Sequence, residues 1–337
     1  MFKQIIGRLM GVSLVLLAAA FLPELSVPAE PADAKPHRAL APGEYSFSLR
    51  QGDVQRSYLV HMPPQAACGE ALPLVLNFHG AGSNGKQQEG YSEMDATADR
   101  HGFIAVYPNG SGKFGNHFTW NAGFCCTYAM THQVDDVGFV IALIDDLAAR
   151  TPINRRRVYS TGISNGGMMS YRLAAQASGK IAAIAPVAGS MVLVDFTPEH
   201  PMPVMAFNSV DDPFVHYYGG YGKQVISLFR RNPGQPGVEK VVGKWREYDG
   251  CPEAPHVAPT LSGKPGTGNE GITATRYAWG PCKNATEVVL WKFTGAGHVW
   301  PGGIQDRFEH ILGRSTDLVD ANEEMWSFFS KFELPGQ

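Results

Sequence analysis

Hydrophobic positions along the chain fall into short blocks that alternate between the spacing of strands and that of helices. Strand-like blocks lie at 72–78, 103–107, 157–161, 184–187, 202–207, 272–279 and 287–293, and two alternating stretches at 45–49 and 56–61 predict an entry hairpin around Gly52. Helical spacing occurs at 137–149 and 238–248, at Met169, Leu173 and Ala177, and in a closing stripe of Met325, Phe328, Phe329 and Phe332. This alternation predicts an α/β fold with a doubly wound, mainly parallel sheet in a single domain.

One strand-like block runs into a helix through the pentapeptide Gly162–Gly166, whose central residue is Ser164. A serine on so sharp a strand-to-helix turn holds strained backbone angles, so the positions two residues away need glycine. Such pentapeptides also arise by chance in glycine-rich loops, and this chain has 38 glycines. The flanking strand and helix patterns favour a nucleophile elbow, with Ser164 as nucleophile and the backbone N–H of Asn165 facing a developing oxyanion.

A serine nucleophile needs a histidine base and a carboxylate that orients it, and in α/β-hydrolase folds these follow in the order serine, acid, histidine. The strand-like block at 202–207 leads to Asp211 and Asp212. We favour Asp212 because Pro213 fixes the turn directly after it, and an ordinary Asp-Pro turn is the structural alternative.

The histidines after this acid are His216, His256, His298 and His310. Among them, His298 stands in a glycine-flanked loop directly after a strand, which is where α/β folds place their chemistry. We therefore predict a catalytic triad of Ser164, Asp212 and His298.

A second oxyanion donor is expected in the small-residue loop after the apolar strand at 72–78. We expect the backbone N–H of Ala81, or else that of Gly80 or Gly82, to complete an oxyanion hole with Asn165. His79, at the start of this loop, is then expected to be structural.

Composition and charge narrow the class of protein. The chain has 337 residues, 44% hydrophobic and 18% charged, which is typical of a globular protein with a substantial core. The formal net charge of −3 carries no strong bias, so nucleic acid is not an expected partner.

The first residues have the pattern of a secretory signal peptide. Lys3 and Arg8 accompany an apolar stretch at 9–22, followed by small residues and prolines. We expect residues 1–34 to be the signal peptide, 35–43 a linker and 44–335 the catalytic domain of a secreted protein, extracellular or periplasmic, without stable membrane association. An uncleaved membrane anchor is the alternative.

Export permits disulfides among the five cysteines. We expect Cys251 to pair with Cys282, because the two flank the strand-like block at 272–279. A bond between the neighbours Cys125 and Cys126 is strained, so either of them is also a candidate partner for Cys68. No metal site is expected, because the spacing of the cysteines does not suit zinc.

Five stretches together resemble one family of secreted serine esterases, the polyhydroxybutyrate depolymerase and feruloyl esterase-like family. They are His79–Gly82, Trp120–Cys126, Val134–Phe139, Gly162–Met168 and Gly297–Gly303. The likeness spans about 42–332 and implies the same triad. The chain departs from the family at Asn208-Ser209, where such proteins often carry His-Gly, and in a long segment at 217–236 that bears on substrate choice.

The resemblance implies a carboxylic ester hydrolase that forms an acyl-serine and needs no cofactor. Its substrate is either a hydroxyalkanoate ester or a feruloyl or acetyl ester of plant polysaccharide. Trp120 and Trp300 are candidate aromatic walls of the substrate site, with a buried structural role as the alternative. The segment at 216–236 is expected to be an inserted loop that forms part of a lid or of the pocket rim. A catalytically silent binding protein on this fold and an acyltransferase remain alternatives.

Overall fold

The computed structural model describes residues 39–193, 195–220, 234–304 and 309–335. The expected signal peptide and residues 35–38 of the expected linker lie outside the described residues, as do 221–233 of the expected lid. Every helix in the described part of the chain is too short or too polar to span a bilayer.

The described strands are β1 (Gly43–Gln51), β2 (Val54–Met62), β3 (Leu72–Phe78), β4 (Ile104–Pro108), β5 (Ile153–Ile163), β6 (Ala183–Val187), β7 (Val204–Ser209), β8 (His256–Val257), β9 (Leu261–Ser262), β10 (Thr273–Trp279) and β11 (Val288–Thr294). The described helices are α1 (Gly85–Ser92), α2 (Met94–His101), α3 (Thr127–Thr131), α4 (Asp136–Ala148), α5 (Asn165–Gln176), α6 (Val238–Asp249), α7 (Glu309–Leu312) and α8 (Ala321–Phe329).

All of these strands belong to one sheet, ordered β1-β2-β4-β3-β5-β6-β7-β11-β10-β8, with β9 paired to β10. Its centre, from β4 to β11 in this order, is parallel. The strands on either side are antiparallel. The carboxyl ends of the six parallel strands therefore share one edge of the sheet, here called the carboxyl edge.

Helices cover both faces of the sheet. Along β3, Leu74 and Leu76 belong to one buried cluster and Val75 to another, as the alternation of a strand requires. Helices α4, α5 and α6 pack in the first cluster, where Trp245 is fully buried, and α2 and α8 pack in the second, with Phe328. The predicted doubly wound α/β fold in a single domain is confirmed.

The predicted elements agree closely with those observed. The block at 72–78 is β3 itself, and the entry hairpin is β1 and β2. Helix α4 is capped by Asp135, whose Oδ1 accepts the backbone N–H of Gly138 at 2.9 Å. The closing helix ends at Phe329, so Phe332 lies beyond it while still packing on the second cluster.

The structure pairs four of the five cysteines. The expected Cys251–Cys282 bond is present and ties the end of α6 to the turn between β10 and β11. In the loop-entropy model, a bond that closes such a loop contributes about 3 to 4 kcal/mol to the free energy of unfolding. Cys125 and Cys126 are bonded to each other, whereas Cys68 is exposed and free. The alternative pairing with Cys68 is therefore not the one in the structure.

Candidate active site

Ser164 joins β5 to α5 in a backbone conformation that is unfavourable for a residue with a side chain, with φ 58° and ψ −121°. Its backbone N–H donates to the carbonyl of Val187 at 2.9 Å, which anchors the turn to β6. A Cβ atom at Gly162 or Gly166 would lie 2.5 or 2.1 Å from the carbonyl oxygen of Phe78. Both glycines are needed because the backbone of β3 passes directly against the turn.

The acid and the base meet at the carboxyl ends of the adjacent strands β7 and β11. His298 Nδ1 lies 2.8 Å from Asp212 Oδ2, and both side chains are buried. The other oxygen, Asp212 Oδ1, accepts the backbone N–H groups of Phe214 and Val215, each at 2.8 Å. The carboxylate is thus held from one side by the turn and presents its second oxygen to the imidazole.

The neighbouring carboxylate has a different partner. Asp211 Oδ2 accepts the backbone N–H of Gly295 at 2.6 Å, in the loop that carries His298. The same loop is held from its other side, because the N–H of His298 donates to the carbonyl of Leu312 at 2.6 Å. A Cβ atom at Gly297 would lie 2.0 Å from that carbonyl, so the close approach requires glycine there.

Ser164, Asp212 and His298 all follow the ends of parallel strands, so all three lie at the carboxyl edge. A direct hydrogen bond joins Asp212 to His298. Among the described residues, the hydroxyl of Ser164 has no hydrogen-bond partner, which is common for catalytic groups before a substrate binds.

The backbone N–H groups expected to form the oxyanion hole flank the same turn. Both polar atoms of the Asn165 side chain are hydrogen-bonded to the backbone of Trp120. Its Oδ1 accepts the Trp120 N–H at 2.7 Å, and its Nδ2 donates to the Trp120 carbonyl at 3.0 Å. The N–H of Asn165 is in the first turn of α5, where no helical acceptor is available. Gly82 donates its N–H to Phe118 at 2.8 Å, so Ala81 and Gly80 remain the candidates for the second donor.

His79 is a structural residue in the loop after β3. It is fully buried, its Nε2 accepts the N–H of Gly110 at 3.0 Å, and its Nδ1 donates to the carbonyl of Gly80 at 2.7 Å. This hydrogen-bonding requires the neutral imidazole. Burial lowers the pKa of His79 to about 4.

We expect acid to destabilise the fold through His79. An unfolded histidine titrates near 6.5, so between about pH 6.5 and 4 the unfolded state binds more protons. The free energy of unfolding should decrease as the pH is lowered through this window, by about 3 kcal/mol in total. Urea unfolding of the wild type and of His79→Gln at pH 7 and pH 4 measures the effect, and the variant should lose less stability on acidification.

The comparison with the variant is needed because protonation of other buried groups changes the free energy of unfolding in the opposite direction. Burial raises the pKa of Asp249 to about 7 and that of Asp95 to about 6. These carboxyls bind protons more tightly when folded, so their contribution to stability grows on acidification. Equal losses in the wild type and in His79→Gln would contradict the assignment.

The structure corrects the expectation that Trp120 and Trp300 wall the substrate site. Trp120 is 0% and Trp300 2% exposed, so neither ring has free surface for a ligand. The indole N–H of Trp120 donates to His79, and that of Trp300 donates to Asn322, both at 3.0 Å. They are core residues that brace the loops of the carboxyl edge.

A buried ion pair near the site was not predicted from the sequence. Asp136 accepts from Arg56 Nη2 at 2.7 Å and from the backbone N–H of Asn121 at 2.8 Å, and the guanidinium lies over the ring of Phe139. Burial raises the pKa of Asp136, and Arg56 opposes that shift. The pair fixes the loop that contacts Asn165. The available signal in the sequence is the pair of adjacent acidic residues, Asp135 and Asp136, at the start of α4.

One group of described side chains has the composition of a metal site, Glu44, His61 and Asp95, whose ligand atoms lie within 4.8 Å of one another. It lies at the start of β4, at the opposite edge of the sheet from Ser164. Both ring nitrogens of His61 are bonded to carboxylates, those of Glu44 and Asp99. Burial disfavours the imidazolium, yet these hydrogen bonds raise the pKa of His61, as in an ion-pair network.

A serine in a strained strand-to-helix turn and a buried acid–histidine pair, at one edge of a mainly parallel sheet, define the α/β-hydrolase class. Within that class, a family model described as esterase PHB depolymerase matches residues 56–239, just over half of the chain. The chain belongs to this family.

Curated relatives have esterase names. The bifunctional acetylxylan esterase/xylanase XynS20E of Neocallimastix patriciarum is 28% identical over 287 residues, 85% of this chain and 35% of the relative. Feruloyl esterase B of Piromyces equi is 29% identical over 290 residues, 83% of this chain and 46% of the relative. The chain thus spans less than half the length of these two proteins.

A solved structure shows the same fold. The acetyl xylan esterase from Aspergillus awamori superposes with a TM-score of 0.52 at 13% identity, covering 85% of this chain and 99% of that protein.

Proposed function

We propose that the protein is a secreted serine carboxylic ester hydrolase that works through an acyl-serine intermediate. The observation that carries the proposal is the 2.8 Å hydrogen bond between His298 and Asp212, at the same edge of the sheet as Ser164 in its strained turn. An acid held by two backbone N–H groups that in turn holds a histidine is the arrangement that activates a serine.

In the proposed reaction, the Ser164 oxygen attacks the ester carbonyl while Nε2 of His298 takes the hydroxyl proton. Asp212 holds the Nδ1–H and stabilises the imidazolium. The carbonyl electrons move onto oxygen, where the N–H groups of Asn165 and Ala81 would stabilise the charge. As the C–O bond breaks, His298 returns the proton to the leaving alcohol. Water then repeats the cycle and releases the acid.

Two substrate classes fit this chemistry, hydroxyalkanoate esters and feruloyl or acetyl esters of plant polysaccharide. The family description names the first, and the relatives' names the second. Secretion is supported by the signal-like pattern over 1–34 and by the Cys251–Cys282 bond, with 44–335 as the catalytic domain.

Acid release from methyl ferulate, 4-nitrophenyl acetate and a 3-hydroxybutyrate trimer, measured side by side with Ser164→Ala as the blank, tests the proposal. We expect hydrolysis of at least one ester. Ferulate turnover would indicate cell-wall esters, and trimer turnover a polyester. Acetate turnover alone would support the mechanism and leave the substrate class open, whereas no release above the blank would contradict the function and favour a binding protein.

A further inference from the structure

A cavity of about 550 Å³ opens at the carboxyl edge, between the β1–β2 turn, the loop after β4, and α3. We call it the hairpin cavity. Strand β2 runs antiparallel to β4, with Tyr58 opposite Pro108, the last residue of β4. The turn that precedes Tyr58 must therefore project from the same edge of the sheet as Ser164.

One wall of the hairpin cavity is hydrogen-bonded to the loop that carries the oxyanion candidates. Phe118, which lines the cavity, accepts the N–H of Gly82 at 2.8 Å and donates its own to Ser83 at 2.9 Å. Gly110, also in the lining, donates to His79. The cavity therefore lies directly beside this loop, and these hydrogen bonds fix the position of its wall relative to the loop.

The distance from the nucleophile limits what can occupy both places. In the sheet, β3 lies between β4, whose carboxyl end borders the cavity, and β5, which ends at Ser164. Two inter-strand spacings therefore separate β4 from β5, a distance of about 10 Å. An acetyl group bound at Ser164 does not reach the cavity. A ligand that fills it during the reaction must be an extended chain esterified at a distance.

The lining combines aromatic rings with hydrogen-bonding groups. Tyr128 and His132 stack with ring centroids 4.0 Å apart. Within the described part of the chain, the Tyr128 hydroxyl, the His132 Nε2 and the second carboxylate oxygen of Asp135 have no hydrogen-bond partner, so they are available to a ligand. Gln55 and Ser111 add further polar groups.

The carboxylate of Asp135 in the lining distinguishes between the two substrate classes. An ionised carboxylate only accepts hydrogen bonds, so a ligand beside Asp135 must supply O–H or N–H donors. The backbone of a hydroxyalkanoate polyester has ester oxygens and no donors. A carbohydrate has many hydroxyls and a ring face that packs on aromatic side chains.

We propose that the hairpin cavity binds sugar residues of an extended polysaccharide chain whose ester group lies at Ser164. This rests on the proposed function and selects the esterified polysaccharide as substrate class. Tyr128 is the side chain expected to contribute most, through its ring and its free hydroxyl.

Binding can be measured without hydrolysis. We would titrate the full chain carrying Ser164→Ala with xylohexaose, cellohexaose and the 3-hydroxybutyrate trimer by calorimetry. One of the hexasaccharides should bind, and adding Tyr128→Ala should weaken it about tenfold, the loss of roughly one hydrogen bond and its packing. Tyr128→Phe, which keeps the ring, should weaken it by about threefold and serves if the alanine variant fails to fold. Phe114→Ala is the matched control, because Phe114 is a 70% exposed aromatic nearby that does not line the cavity.

Kinetics provide a second readout. The ratio of kcat/KM for acetylated xylo-oligosaccharide to that for 4-nitrophenyl acetate should fall about tenfold in Tyr128→Ala, through KM. If the wild type hydrolyses no ester, the proposed function fails while the titration still decides the cavity. Absence of hexasaccharide binding, binding that neither Tyr128 variant weakens, or equal binding of the trimer would overturn the inference.

Discussion

Replacement of Ser164 by alanine is expected to lower kcat for every ester by about 10⁴-fold or more, leaving only what binding and the oxyanion donors contribute. The reason is that the acyl group must bond to Oγ of Ser164, and alanine has no hydroxyl to form that bond. Initial rates of 4-nitrophenyl acetate hydrolysis measure the loss. A fluorophosphonate probe should label the wild type and not the variant.

Ser330→Ala is the matched control for this experiment. Ser330 is exposed just after α8, away from the carboxyl-edge residues, so its loss should change neither rate nor labelling. Thermal unfolding of Ser164→Ala checks that the fold is intact. A folded Ser164→Ala protein with a rate within about tenfold of the wild type would remove Ser164 from its proposed role.

Replacement of Asp212 by asparagine should lower kcat by about 10³ to 10⁴-fold while the fold persists. The amide oxygen can keep the two hydrogen bonds from Phe214 and Val215, which directs the NH₂ group toward His298. An NH₂ group donates, so Nδ1 must then be the unprotonated nitrogen, and the proton moves to Nε2. A protonated Nε2 cannot take the proton of Ser164.

Asp211→Asn provides the matched control, since the two carboxylates are adjacent. Among the described residues, the Asp211 carboxylate accepts one hydrogen bond, from the backbone N–H of Gly295, and an amide oxygen can accept it equally well. We expect a loss of less than about tenfold in kcat/KM for this variant. Equal losses in both variants would contradict the assignment of Asp212 as the residue that orients the histidine.

The elements that were predicted from the sequence are those with a strong local pattern. Strand β3 is an unbroken apolar run, and α4 combines an aspartate cap with helical spacing, so both were placed within a residue or so. Helix α1 was missed because its buried face is polar. Gln88 on that helix is buried and donates to Asn77 of β3 at 2.9 Å, and hydrophobic spacing does not reveal such pairs.

Residue type alone was a poor guide to exposure at the site. Trp120 and Trp300 occur in motifs beside predicted catalytic residues, and their rings suited a substrate wall. Both are instead core residues whose indole N–H groups hold loop backbone or side chains. A tryptophan next to a catalytic motif along the chain can point to either side of the loop, and only the packing of the loop against its neighbours sets the direction.

Local sequence was therefore sufficient to predict the class of fold and the strained turn at Ser164, because backbone angles and hydrophobic periods depend on residues a few positions apart. The contact between Asp212 and His298 joins residues 86 positions apart, and that between Arg56 and Asp136 residues 80 apart. The walls of the hairpin cavity come from three separate segments. Strand order and helix packing bring these distant residues together. The free energies of the contacts between them therefore depend on the assembled fold as a whole.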